Sequence, residues 1–129
     1  MSTFSSSWEK CMSTKGMPVP HVEDVDEAVE LLHQLHSAAE NAVVEPDQIV
    51  TIGTLIASGA LTGMSEGALV ILAGVAQTAA AVYITESLAC LSAVAAQAVK
   101  QLFANNELPD FAAEELRSQG FELEAEATA

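Results

Sequence analysis

His33, His36 and Glu40 stand three and four positions apart in a segment with a striped apolar pattern. On a helix that spacing puts the three side chains on one face, where two imidazoles and a carboxylate can meet one metal ion. The simpler reading is a solvated polar face whose late histidines complement the helix dipole, and no metal site is expected. His21 lies among prolines and adds little to such a set. Cys11 and Cys90, 79 positions apart, belong to no CxxC or Cys/His cluster, which leaves zinc and thioredoxin-like chemistry without support. Free thiols are expected, with Cys90 in the core between Leu88 and Leu91. Carboxylates grouped at Glu23, Asp24, Asp26 and Glu27, and at Glu114 and Glu115, have the residue types of acid–base catalysis. Helix faces and N-terminal dipole partners account for them more simply. Serine and cysteine have no base beside them in sequence, so the expectation is a protein that is not an enzyme, with no catalytic residue and no cofactor.

Charge narrows the partners. Four basic residues against eighteen acidic ones give a net charge of −14 over 129 residues. That field repels nucleic-acid phosphates and anionic headgroups and attracts a basic protein, so nucleic acid is excluded as a partner. The opening MSTFSSSWEKCMSTKG has no apolar run behind a basic cluster. The expectation is therefore a chain made in the cytoplasm without a Sec signal peptide, reaching a membrane only by a non-Sec route.

The elements that must position these residues read as all-α, in one domain spanning 1–129. Phe4, Trp8, Cys11 and Met12 recur at helical spacing behind Ser5 to Ser7, and Gly16 ends the turn. Prolines 18 and 20 make a stiff linker, completing an N-terminal unit over 1–20. Asp24 and Glu27 form a capping box, and Val25, Ala28, Val29, Leu32, Leu35, Ala39 and Val43 line one stripe of an acidic amphipathic helix in 22–44. Residues 48–104 form an apolar hairpin region. It comprises a helix from Ile49 through Leu61, a break at Thr62 to Glu66 with Gly63 as C-cap, a helix from Glu66 to Ile84, a break or bend near Thr85, and a helix from Glu86 to Ala104. A last helix runs over Pro109 to Ser118 with Gly120 as its cap, closing the segment 109–120, and 121–129 is an acidic tail. Five or six helices are predicted, the apolar central ones wrapped by acidic amphipathic ones. Trp8, the only tryptophan, is expected as a lid on the bundle rather than an interface anchor.

Ile49 to Val99 contains only two charges, Glu66 and Glu86, between acidic flanks. Gly59, Gly63 and Gly67 repeat every four residues, with Gly53 and Gly74 outside them, and small residues at that spacing permit close helix packing in membranes or in soluble bundles. The 19 uncharged residues Gly67 to Thr85 would span about 28 Å as one helix, near the hydrocarbon thickness of a bilayer. Their glycines and alanines, and flanks without Lys or Arg anchors, argue against permanent insertion. In composition and layout, residues 48 to 104 resemble the buried hydrophobic hairpins of channel-forming bacterial toxins, although no sequence motif matches. The resemblance implies a hairpin held in reserve for a bilayer.

Two functions follow. The first is a small bacterial protein, antibacterial and pore-forming in type, whose shielded hairpin enters a membrane when carboxylate protonation eases approach; Gly53, Gly59, Gly63, Gly67 and Gly74 would pack it, and the chain would be able to self-associate. The second is an acidic binding module, such as an immunity or adaptor protein, that neutralises a basic partner through Glu23, Asp26, Glu27 and Glu30.

Overall fold

The computed structural model describes residues 3–42 and 49–123. Among them the chain is all-α, with seven helices: α1 (Thr3–Thr14), α2 (Val25–Asn41), α3 (Ile52–Ala57), α4 (Glu66–Ala73), α5 (Ala80–Val94), α6 (Ala96–Ala104) and α7 (Asp110–Ser118). The expected end of the second helix at Val44 and most of the acidic tail lie outside the described residues.

Several boundaries follow directly from local chemistry. Asp24 accepts the Glu27 amide at 3.0 Å at the head of α2, and Thr51 and Ser65 cap α3 and α4 in the same way. Gly16, Gly59, Asn106 and Gly120 have positive φ and close α1, α3, α6 and α7 by one device. In each, the residue after the left-handed position donates its amide to a carbonyl five residues back, as Glu107 does to Leu102 at 2.8 Å.

α5 is the hub, packed against α1, α2, α6 and α7. Its buried side chains Tyr83, Ile84, Leu88, Cys90 and Leu91 join one apolar core with Trp8 and Met12 of α1, Leu32 and Leu35 of α2, and Leu116 of α7. α1 lies on α5 in antiparallel register. Cys11 meets Cys90, Lys15 meets Glu86 at 2.8 Å, and the Tyr83 hydroxyl donates to the Pro18 carbonyl at 2.9 Å, each advance along the first segment matched by an equal retreat along α5. Trp8 is fully buried, as expected of a lid, and its Nε1 donates to the Ser87 carbonyl at 3.3 Å.

Four expectations are corrected. The thiols are not free, since Cys11 and Cys90 form a disulfide. Among the described residues there are seven helices rather than five or six, because two breaks, one after Ala73 and one at Ala95, replace the single one expected near Thr85. Ala76 and Thr78 give their carbonyls to the Gly53 and Ile52 amides at 2.9 Å, and Ala80 donates to Val50 at 2.8 Å. This pairing with the entry to α3 competes with helix propagation through residues 74–79. The predicted helix from Ile49 to Leu61 shrinks to Ile52–Ala57 for the same reason at its start and because of the left-handed turn at Gly59 at its end. Lastly, α5 runs unbroken through Thr85 and Glu86. The break falls at Ala95, where α5 and α6 meet at 105°. No single helix among the described residues is long and apolar enough to cross a membrane.

Candidate functional site

One stripe of α2, spaced by alternate steps of four and three, holds Asp26, Glu30, His33, Ser37 and Glu40. Asn106 turns the chain out of α6 in a left-handed conformation, φ 60°, which asparagine tolerates better than most residues. That turn carries Glu107, Pro109, Asp110 and Phe111 across the α2 stripe. Between the two walls lies a cleft of about 690 Å³, floored by Val29, Leu102 and Leu108. Five carboxylates, from Asp26, Glu30, Glu40, Glu107 and Asp110, line it without any lysine or arginine. The His36 ring stacks on Phe111 with centroids 4.0 Å apart and planes within 4°, and His33 lies 6.3 Å from the same ring. His36 Nδ1 is 3.7 Å from Glu40 Oε1.

No lysine or arginine lines the cleft, although Arg117 borders an adjoining cavity with Asn106, Leu108 and Asp110. Lys15 pairs with Glu86, Lys100 lies over Phe121, and Arg117 over Phe103. The cleft thus presents five carboxylates beside an aromatic surface, an arrangement that attracts a cation and can cover its apolar stem. His33 and His36 turn to Phe111, and among the described residues no group of three or more His, Cys, Asp or Glu side chains is arranged to hold a metal ion.

The four acids expected to bind a partner divide into two pairs. Asp26 and Glu30 line the cleft. Glu23 bonds His21 Nε2 at 3.0 Å, and Glu27 accepts the Glu23 amide while donating its own to Asp24, so these two are engaged in the entry to α2. Sequence reasoning missed Glu107, Asp110 and Phe111, whose approach depends on the turn after α6. The signal for the α2 wall is the 26, 30, 33, 37, 40 spacing, of which sequence reasoning assigned only Asp26 and Glu30 to a partner.

The glycines are likewise divided. Gly53 approaches Ala76 so closely that a Cβ would sit 3.0 Å from the alanine Cβ and 3.1 Å from its carbonyl oxygen. Gly59 and Gly63 occupy left-handed turns facing open space, Gly67 is the second residue of α4, and Gly74 follows its end. The four-residue repeat thus crosses from the end of α3 through a turn into α4 and forms no continuous packing stripe.

His21 forms a second cluster. Its Nδ1 lies 3.1 Å from Ser5 Oγ and 3.0 Å from Glu9 Oε2, and its Nε2 lies 3.0 Å from Glu23 Oε2. The connectivity suggests a nucleophile, base and acid, but the chemistry does not suit one. Ser5 is 3 % exposed and donates to Glu9 at 3.0 Å. Hydrogen bonds donated to Glu23 and then Glu9 raise the His21 pKa above 6.5, favouring an imidazolium that donates both protons and accepts none. The cluster is a charge clasp between α1 and the start of α2.

Compared with known proteins, the chain matches no family model, no curated protein and no solved structure.

Proposed function

We propose that this chain is an acidic binding module, not an enzyme, whose cleft between α2 and the α6–α7 turn receives a basic segment of a protein partner, as an immunity or adaptor protein would. The observation that carries the reading is the set of five carboxylates around an aromatic stack with no cation among them. Asp26, Glu30 and Asp110 would pair with lysine or arginine heads, and Phe111 with His36 would cover the stem or guanidinium plane. The Cys11–Cys90 disulfide suits a protein that meets its partner in an oxidising compartment.

Membrane insertion, the other function expected from sequence, draws support from the charge-poor run through α3, α4 and the first half of α5. It has less support than the cleft because that run is divided into short helices.

The test is titration of the purified protein with an arginine-rich peptide, followed by calorimetry and by chemical-shift mapping of His33, His36 and Phe111. Binding that falls with salt and is weakened by Glu30→Gln and Asp110→Asn, but not by Glu115→Gln outside the cleft, is the expected result. Equal loss from all three substitutions would mean diffuse attraction to an acidic surface and would remove the site.

A further inference from the structure

Among the helices, α1 packs extensively on α5 alone, whereas α5 is also held by α2, α6 and α7. Tyr83, Ser87 and Cys90, four and three apart on α5, meet Pro18, Trp8 and Cys11 in turn. Apart from the apolar seat of Trp8 and Met12, the non-covalent ties of α1 are slight. The Trp8 bond to the Ser87 carbonyl is long at 3.3 Å, and the Lys15–Glu86 pair is about a third exposed on each side. His21 fastens Ser5 and Glu9 to the linker rather than to α5. Exposed pairs of this kind contribute little. Ser87 Oγ is fully buried and has no hydrogen-bond partner among the described residues, so the closed arrangement carries an unmet hydroxyl that water would satisfy on opening. Gly16, left-handed at φ 74°, supplies a joint between α1 and the proline linker.

We infer that α1 is a strap locked on α5 by the Cys11–Cys90 bond and released by a dithiol reductant, with α2 to α7 remaining folded. Cys90 is 1 % exposed, while Cys11 is only partly buried, so an incoming thiolate reaches Cys11 Sγ. The S–S bond breaks, Cys11 enters a mixed disulfide, and Cys90 leaves as a thiolate that takes a proton. The reductant's second thiolate then attacks its own sulfur in the mixed disulfide, closing the reductant's disulfide and freeing Cys11, which is protonated in turn. Two electrons and two protons have passed to the protein. Without the bond, α1 swings about Gly16, Trp8 leaves its seat, and the stripe of Tyr83, Ser87 and Cys90 meets water. The core beneath keeps Leu32 and Leu35 of α2, Leu91 of α5, Leu102 of α6 and Leu116 of α7. None of the side chains that fasten the strap lines the acidic cleft. Exposure of the α5 stripe is thereby tied to the thiol–disulfide state of the surroundings, independently of what the cleft binds.

Trp8 is the only tryptophan, so its emission reads the strap directly. The experiment compares the intact oxidised protein with the same protein in excess dithiothreitol, both in about 0.5 M salt to screen the exposed ion pairs. Acrylamide quenching of Trp8 and amide hydrogen exchange resolved helix by helix are the readouts. On reduction the expected result is a red-shifted, more readily quenched Trp8 and a loss of α1 protection of about thirtyfold or more. The amides of α2, α5 and α7 should stay protected, and reoxidation should restore the starting state. Unchanged Trp8 quenching and α1 exchange after reduction verified by thiol titration overturns the inference, because packing alone then holds the helix. Simultaneous loss of protection in α1, α2 and α5 also overturns it, since the bond would then support the whole fold rather than lock one strap.

Discussion

Cys11 on α1 is joined to Cys90 on α5 with Cα atoms 5.9 Å apart, and Cys90 is buried in the centre of the core. The bridge closes most of the chain into one loop and holds Trp8 and Met12 against the hub helix. Because cross-linking removes conformations chiefly from the unfolded chain, a loop of this length contributes about 4 kcal/mol. Chemical denaturation with and without a dithiol reductant, and of Cys11→Ala/Cys90→Ala, should show a loss of that order and a fall in Tm of more than about 10 °C. A reduced protein that unfolds at the same midpoint would mean that the α1–α5 packing stands without the bond.

Glycine substitutions should rank by position rather than by their shared spacing. Gly53→Ala places a methyl group against Ala76 backbone and side chain and should cost about 1–3 kcal/mol. Gly59→Ala and Gly63→Ala meet open space but sit at φ +75° and +91°, and each should cost about 1 kcal/mol. Gly67→Ala, early in α4 with nothing nearer than Ser65 Oγ at 3.9 Å, should be neutral or stabilising by about 0.5 kcal/mol. Urea unfolding of the four variants checks the order; equal losses at Gly59, Gly63 and Gly67 would restore the single-stripe reading.

These contrasts show what could be read from sequence and what could not. Asp24, Ser65, Gly16 and Gly120 act through bonds to residues a few positions away, so their capping roles were legible. The turn between Ala73 and Ala80 has no proline and no charge to mark it, and it forms because residues 50–53 pair with it. Glu86 was taken to mark a new polar face, whereas it lies under α1 in contact with Lys15. The disulfide had no local signal at all. In the site, Asp26 and Glu30 were picked out but grouped with Glu23 and Glu27, which lie outside the cleft, and the facing wall depends on the α6–α7 turn and on a bend at Ala95 that no local residue announces.

His21 should make the closure of α1 depend on pH in a defined direction. Its folded pKa is raised, first by Glu23 and then by Glu9. The clasp therefore contributes fully below 6.5, while the carboxylates remain ionised, and is lost as pH rises through the folded value. Stability measured below 6.5 and well above it should fall on the alkaline side in the parent protein, and His21→Gln should flatten that part of the profile. An NMR titration of the imidazole below 6.5 would contradict the clasp. The direction also bears on membrane insertion: mild acid tightens this end of the bundle, opposing a trigger that would open it there.

The acids at the head of α2 offer the sharpest separation of fold from function. Glu27 donates its amide to Asp24 and accepts that of Glu23, and Glu23 holds His21; Asp26 and Glu30 line the cleft instead. Glu27→Lys should lower stability by about 1 kcal/mol, through the lost capping bond and a cation at the positive end of the helix dipole. Its effect on peptide affinity should be small. Asp26→Lys and Glu30→Lys should weaken an arginine-rich peptide about tenfold at low ionic strength, with the difference shrinking as salt is added. Asp26 also lies in the first turn of α2, so a modest stability loss there is expected, whereas Glu30, a turn further on, should change binding with stability nearly intact. Glu30→Lys is thus the cleaner probe: a folded, equally stable variant that still binds the peptide at parent affinity would rule out the cleft as the site of recognition.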